Sequence, residues 1–89
     1  MVWVIEISRQ AEKFLKQHHL SDNFVVEPIR KAIQKLRGGT VAIDIKRLSG
    51  KWDGYLRVRV GKNRIIFSIN SEKQTVLVEV VDNRGSAYR

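Results

Sequence analysis

The chain has 89 residues, no cysteine and a net charge of +8, from 17 basic and 9 acidic side chains. That length makes one domain, residues 1–89, with a modest core. The lack of cysteine excludes disulfides, zinc–thiolate sites and thiol nucleophiles.

A hydrophobic fraction of 43% argues against disorder. Met1-Val2-Trp3-Val4-Ile5-Glu6 has an early acid and no long apolar run. Neither a signal peptide nor a membrane span is expected, and the absence of disulfides suits the cytoplasm. Trp3 to Ile7 reads as a strand. Ser8 is a good N-cap. Ala11, Phe14, Leu15 and His18 follow at helical spacing, which predicts a first helix with His18 half-buried and His19 in solvent. Leu20 to Asn23 is a break. A second helix carries Ile29, Ala32, Ile33 and Leu36 on one stripe and stops at Gly38-Gly39. Pro28 is expected in its first turn, where a missing N–H matters little. The pattern leaves open whether Phe24 to Glu27 belong to this helix.

After the glycines the period becomes two. Val41 to Leu48 predicts a strand with Ile43 and Ile45 on one face. Gly50 to Gly54 is a loop carrying Lys51, Trp52 and Asp53. Two strands follow, joined by a tight turn at Gly61-Lys62-Asn63. Leu56, Val58 and Val60 point one way, and Tyr55, Arg57 and Arg59 the other. Ile65, Phe67 and Ile69 line one face of the next strand. Asn70 to Gln74 is a turn, and Thr75 to Val81 is valine-dense enough to suggest burial on both faces. The order β-α-α-β-β-β-β predicts an α+β fold. Two N-terminal helices pack on one face of a mostly antiparallel, twisted sheet, and the basic residues lie on the other face.

Charge is unevenly spread. Residues 46–89 carry ten bases and four acids, against seven and five in residues 1–45. Lys46, Arg47, Lys51, Arg57, Arg59, Lys62 and Arg64 lie in a segment whose one acid is Asp53. Such an excess fits a polyanionic partner and, equally, a solvated face that only aids solubility.

Most catalytic devices are missing. The chain has no glycine-rich phosphate loop. His18 and His19 are neighbours, about 100° apart on a helix, and cannot act as a pair. The acids form no metal-ligand pattern, so no metal or cofactor is expected. Glu79, in a central strand, is expected to pair with an arginine. Arginine, lysine and tyrosine remain. Phosphodiester cleavage needs charge stabilisation at phosphorus and proton transfer at both ends. RNA supplies its own nucleophile, the 2′-OH.

Leu48-Ser49-Gly50-Lys51-Trp52-Asp53-Gly54-Tyr55-Leu56-Arg57-Val58-Arg59-Val60-Gly61-Lys62-Asn63-Arg64-Ile65-Ile66-Phe67 resembles the heart of the RelE/ParE toxin superfamily. The ending, with Arg84 four residues before Tyr88, resembles that family's last strand and tail. The resemblance implies a RelE-like toxin of a type II toxin–antitoxin system, an endoribonuclease that cleaves messenger RNA on the ribosome without metal. It implies a cognate antitoxin, through which the complex binds operator DNA. Arg57, Arg59, Arg64, Arg84 and Tyr88 fall on the family's catalytic positions. Lys46, Arg47, Lys51 and Lys62 are assigned to RNA contact. Arg57 and Arg59 stand where RelE has lysines, and Asn83 where many relatives have histidine. Trp52 is read as loop packing rather than a base stack. Arg64 and Arg84 are expected to be partly exposed. Two other readings stand beside the nuclease: a ParE-like poison of DNA gyrase acting by protein contacts, and a non-catalytic nucleic-acid-binding domain.

Overall fold

A computed structural model describes residues 3–83. The elements are β1 (Val4–Ile7), α1 (Arg9–Gln17), α2 (Asn23–Leu36), β2 (Asp44–Arg47), a 3₁₀ turn (Gly50–Trp52), β3 (Leu56–Val60), β4 (Asn63–Asn70) and β5 (Thr75–Asn83). The five strands form one sheet in the order β1-β5-β4-β3-β2. β1 runs parallel to β5, and the other pairings are antiparallel. This is the predicted α+β arrangement. No described helix is long and apolar enough to cross a membrane.

Ser8 caps α1 as its side chain predicts, with Oγ accepting the Ala11 N–H at 3.1 Å. Both helices end in the same device, in which two backbone N–H groups turn back onto the last turn's carbonyls. At the end of α2 the Gly38 N–H donates to Lys35 O and the Gly39 N–H to Gln34 O, with Gly38 at φ 93°. At the end of α1 the His19 N–H donates to Lys16 O and the Leu20 N–H to Leu15 O. There His19 takes φ 56°, a left-handed conformation that glycine usually supplies. His18 is exposed rather than half-buried, although its ring stacks on Phe14 at 4.0 Å.

α2 begins at Asn23, so Phe24 to Glu27 are helical and Pro28 lies inside the helix, not in its first turn. The burial of Val25 and the packing of Phe24 and Val26 on the core account for the earlier start. Apolar contact here outweighs the backbone hydrogen bond that proline removes.

The core lies between helices and sheet. Ala11, Phe14 and Leu15 of α1 and Val25, Ile29, Ala32 and Ile33 of α2 cover Leu56, Val58, Ile65, Phe67, Val76, Val78 and Val81. Phe67, Ile65, Ile29 and Val58 are wholly buried, and each such side chain contributes about 1.5–3 kcal/mol. Among the described residues, the helices cover β5 on its core face. Leu77 and Val80, on the opposite face, are half-buried, not enclosed as its valine density suggests.

Alternation in β5 breaks at one place. Val76 and Val78 face the core, but so does Val81, because the pairing with β4 shifts register between Ile66 and Phe67. Phe67 pairs with Val78 and Ile66 with Val80, which leaves Glu79 as the extra residue of a β-bulge. The start of α1 holds this bulge. Ser8 Oγ donates to Glu79 O at 2.6 Å, and the Val81 N–H donates to Gln10 Oε1 at 3.4 Å.

Candidate functional site

The sheet face away from the helices carries the basic residues. Register places Lys46 opposite Arg57, and Asp44 opposite Arg59. It also places Arg59 opposite Arg64, and Arg64 opposite Asp82. One row across β2, β3, β4 and β5 therefore reads Asp44, Arg59, Arg64, Asp82. Like charges facing each other destabilise a sheet, and a carboxylate at each end of the row offsets the two arginines. Asp82 reaches this face through the bulge. With unbroken alternation it would share the core face with Val76 and Val78.

The arginines differ in how they are held. Arg64 is 4% exposed; its Nε donates to Asp82 Oδ1 at 3.3 Å and its guanidinium also to Asn83 O at 3.5 Å. The expected partial exposure of Arg64 is therefore corrected. Pairing with Asp82 lets the guanidinium stay buried beside β5, where an unpaired charge would not be tolerated. Arg57 is 7% exposed and donates to Asp44 Oδ1 at 3.3 Å. Arg59 has a side chain 43% exposed and lies 3.9 Å from the other oxygen of the same carboxylate. Asp44 thus bridges two arginines and is itself largely in solvent.

Among the described residues Glu79 pairs with no arginine, contrary to the expectation from sequence. It accepts a hydrogen bond from the Tyr55 hydroxyl at 3.2 Å, because the bulge turns it toward the start of β3. The Glu79 charge, with burial and this hydrogen bond, raises the Tyr55 hydroxyl above its ordinary value of 10.0. Tyr55 stays protonated at neutral pH and donates there. Its ring meets Trp52 edge to face, with centroids 5.2 Å apart.

Arg57, Arg59 and Arg64 line one groove of about 490 Å³ together with Lys46, Arg47, Leu48, Ser49 and Trp52. Lys51, exposed in the 3₁₀ turn, and Lys62, exposed at the β3–β4 turn, lie outside this lining. Arg84 and Tyr88 lie outside the described residues. Among the described residues, no three His, Cys, Asp or Glu side chains gather as a metal site. The sequence reading missed Asp44, Asp82 and Tyr55. Asp82 carried a signal, since strict alternation would have buried an acid in the core.

Chemically, the groove presents guanidinium donors to an anion beside an aromatic wall, and the Asp44 carboxylate reaches two of those arginines. The fold that carries it is that of small type II toxins. A YafQ mutant from E. coli matches with a TM-score of 0.68 at 16% identity over 99% of this chain and 100% of that one. A chain of the RelB–RelE antitoxin–toxin complex from Methanococcus jannaschii matches with a TM-score of 0.61 at 26% identity, over 93% of this chain and 94% of that one. A chain of the YoeB–YefM complex from Staphylococcus aureus matches with a TM-score of 0.62 at 18% identity, over 94% and 99%. No curated protein matches. The family model described as the ParE toxin of type II toxin–antitoxin systems matches residues 5–88, and this chain belongs to that family.

Proposed function

We propose that this toxin is a ribosome-dependent endoribonuclease that cleaves messenger RNA. The observation that carries the reading is the convergence of Lys46, Arg57, Arg59 and Arg64 on one groove that also holds an aromatic side chain. Guanidinium forks match phosphate oxygens, and single-stranded RNA is read by stacking as well as by charge. In the reaction, the 2′-oxygen attacks phosphorus and the 5′-oxygen leaves. One fragment ends in a 2′,3′-cyclic phosphate and the other in a 5′-hydroxyl. The 2′-OH loses a proton and the leaving oxygen gains one. No metal is needed for this route.

Arg59, the exposed arginine, and Arg57 beside it stabilise charge on the phosphorus oxygens. Arg64 anchors the row. Asp44, held between Arg57 and Arg59, is the acceptor for the 2′-OH proton. Tyr55 is unsuited to that role because its proton is held more tightly than usual. Arg84 and Tyr88 retain the roles the family resemblance gives them, charge stabilisation and, for Tyr88, proton transfer or stacking. A cognate antitoxin, as in the RelB–RelE and YoeB–YefM complexes, covers the toxin and carries the complex to operator DNA.

A second reading is favoured by the family model itself, whose description is that of ParE. In it the basic face binds DNA gyrase and no bond is cut. Inducing the toxin in cells and mapping transcript 5′ ends separates the two. Cuts within translated frames are expected. Intact transcripts with double-strand DNA breaks would overturn the nuclease reading.

A further inference from the structure

Trp52 has no place in the core. The core cluster and the apolar residues packed against it include neither Trp52 nor Tyr55. The half-buried Trp52 packs on Tyr55 of its own loop, as read from the sequence, and it also borders a groove lined by five cations, which packing alone leaves unexplained.

Its backbone is firmly set. The Leu48 N–H donates to Tyr55 O at 3.0 Å and closes the loop at its base. Inside the loop the Trp52 N–H donates to Ser49 O and the Tyr55 N–H to Trp52 O. Gly54, at φ 92°, makes the return possible. The side chain is braced as well. The Tyr55 ring meets the indole at 85°, and the Tyr55 hydroxyl is tied to Glu79 of the β5 bulge. An edge-to-face contact uses at most one face of the indole. The ring borders the groove formed by Lys46, Arg57, Arg59 and Arg64.

We propose that Trp52 is a base-stacking wall of the groove, with Tyr55 and Glu79 as the residues that position it. An indole face next to phosphate-binding cations suits a nucleotide. Cations hold the backbone, and the ring takes the neighbouring base. A brace anchored in the bulge fixes the ring before RNA arrives, so little rotamer freedom is lost on binding. Trp52 then sets which position of the message must carry a base to stack. The proposal rests on the endoribonuclease reading.

The test is single-turnover cleavage of message on programmed ribosomes, with an abasic ribose placed at one codon position at a time. Wild type should lose about tenfold or more in cleavage efficiency at one position. Trp52→Leu, which keeps apolar bulk without a stacking ring, should lose as much on intact message and show no further loss at that position. Trp52→Phe should retain most of the efficiency. Tyr55→Phe should fall between them while keeping the positional sensitivity. The proposal is overturned if Trp52→Leu cuts like wild type. It is also overturned if the leucine and abasic losses simply multiply, or if the substitution weakens antitoxin binding alone. Failure of wild type to cut any ribosome-bound message would instead remove the nuclease reading, and this proposal with it.

Discussion

Arg64 and Asp82 face each other across β4 and β5, with Nε and Oδ1 3.3 Å apart and both side chains buried. The pair exists because one extra residue, Glu79, shifts the β4–β5 register between Ile66 and Phe67. The same bulge delivers Glu79 to Tyr55 and is clasped by Ser8 and Gln10. Core, site and helix start therefore meet at one irregularity in the sheet.

Asp82→Ala should destabilise the fold more than it alters any surface property. Removing one partner of a buried ion pair costs about 3 kcal/mol or more. Urea denaturation should show that loss, and Asp82→Asn should show less of it. A midpoint unchanged in Asp82→Ala would mean the pair adds nothing to the native state.

Ser8 performs two tasks, capping α1 and donating to Glu79 O. Ser8→Ala should cost about 1–2 kcal/mol, the upper part of the range for a lost cap. Ser8→Gly should recover only the capping share. If the two variants melt together at the wild-type temperature, the clasp on the bulge has no energetic weight.

Pro28 sits inside α2 and removes a donor there. Pro28→Ala should stabilise the protein, by about 1 kcal/mol after the loss of unfolded-chain stiffness is set against the regained helix bond. Thermal unfolding monitored by far-UV circular dichroism decides it. A lower melting temperature would show that proline's packing matters more than the missing bond.

Much of this fold was legible in the sequence, for identifiable reasons. Ser8, Gly38 and Gly39 marked helix ends because capping is local chemistry. Leu56 to Val60 and Ile65 to Ile69 marked faces because period two survives in regular strands. What escaped reading was set by non-local register. Nothing near Asp44 announces that its carboxylate will bridge Arg57 and Arg59 across the strand pair. His19 fills a left-handed position without being glycine. Pro28 lies mid-helix because buried Val25 draws the helix back toward its start. Of the candidate site, the sequence placed Arg57, Arg59 and Arg64 on one face, but not how differently they are held.

Tyr55 should titrate late. Its folded-state value lies above the ordinary 10.0 because of Glu79, burial and their hydrogen bond, in that order. A proton held more tightly in the folded state gives stability that is fully present below about pH 10 and is lost as pH rises through the folded value. Ultraviolet difference titration of a Tyr88→Phe background, which leaves Tyr55 as the one tyrosine, should show ionisation delayed beyond the ordinary value. Adding Glu79→Gln should bring it back toward that value. Ionisation of Tyr55 at the ordinary value with Glu79 in place would refute the coupling.

Arg59 offers the cleanest probe of catalysis. Its side chain is 43% exposed, and its 3.9 Å contact with Asp44 is a surface pair that contributes about 0.5 kcal/mol or less. Arg59→Ala should therefore unfold in urea like wild type. Arg64→Ala differs, because loss of the buried pair with Asp82 mixes any rate effect with a folding defect. If Arg59 supports charge on the phosphorus oxygens, Arg59→Ala should cut ribosome-bound message about 10²-fold more slowly or worse. Arg59→Lys, which keeps the charge but not the fork, should fall between. The decisive comparison is cleavage rate against unfolding midpoint in the same variants. Normal stability together with wild-type cutting in Arg59→Ala would remove this arginine from the reaction and shift attention to protein contacts on the same face.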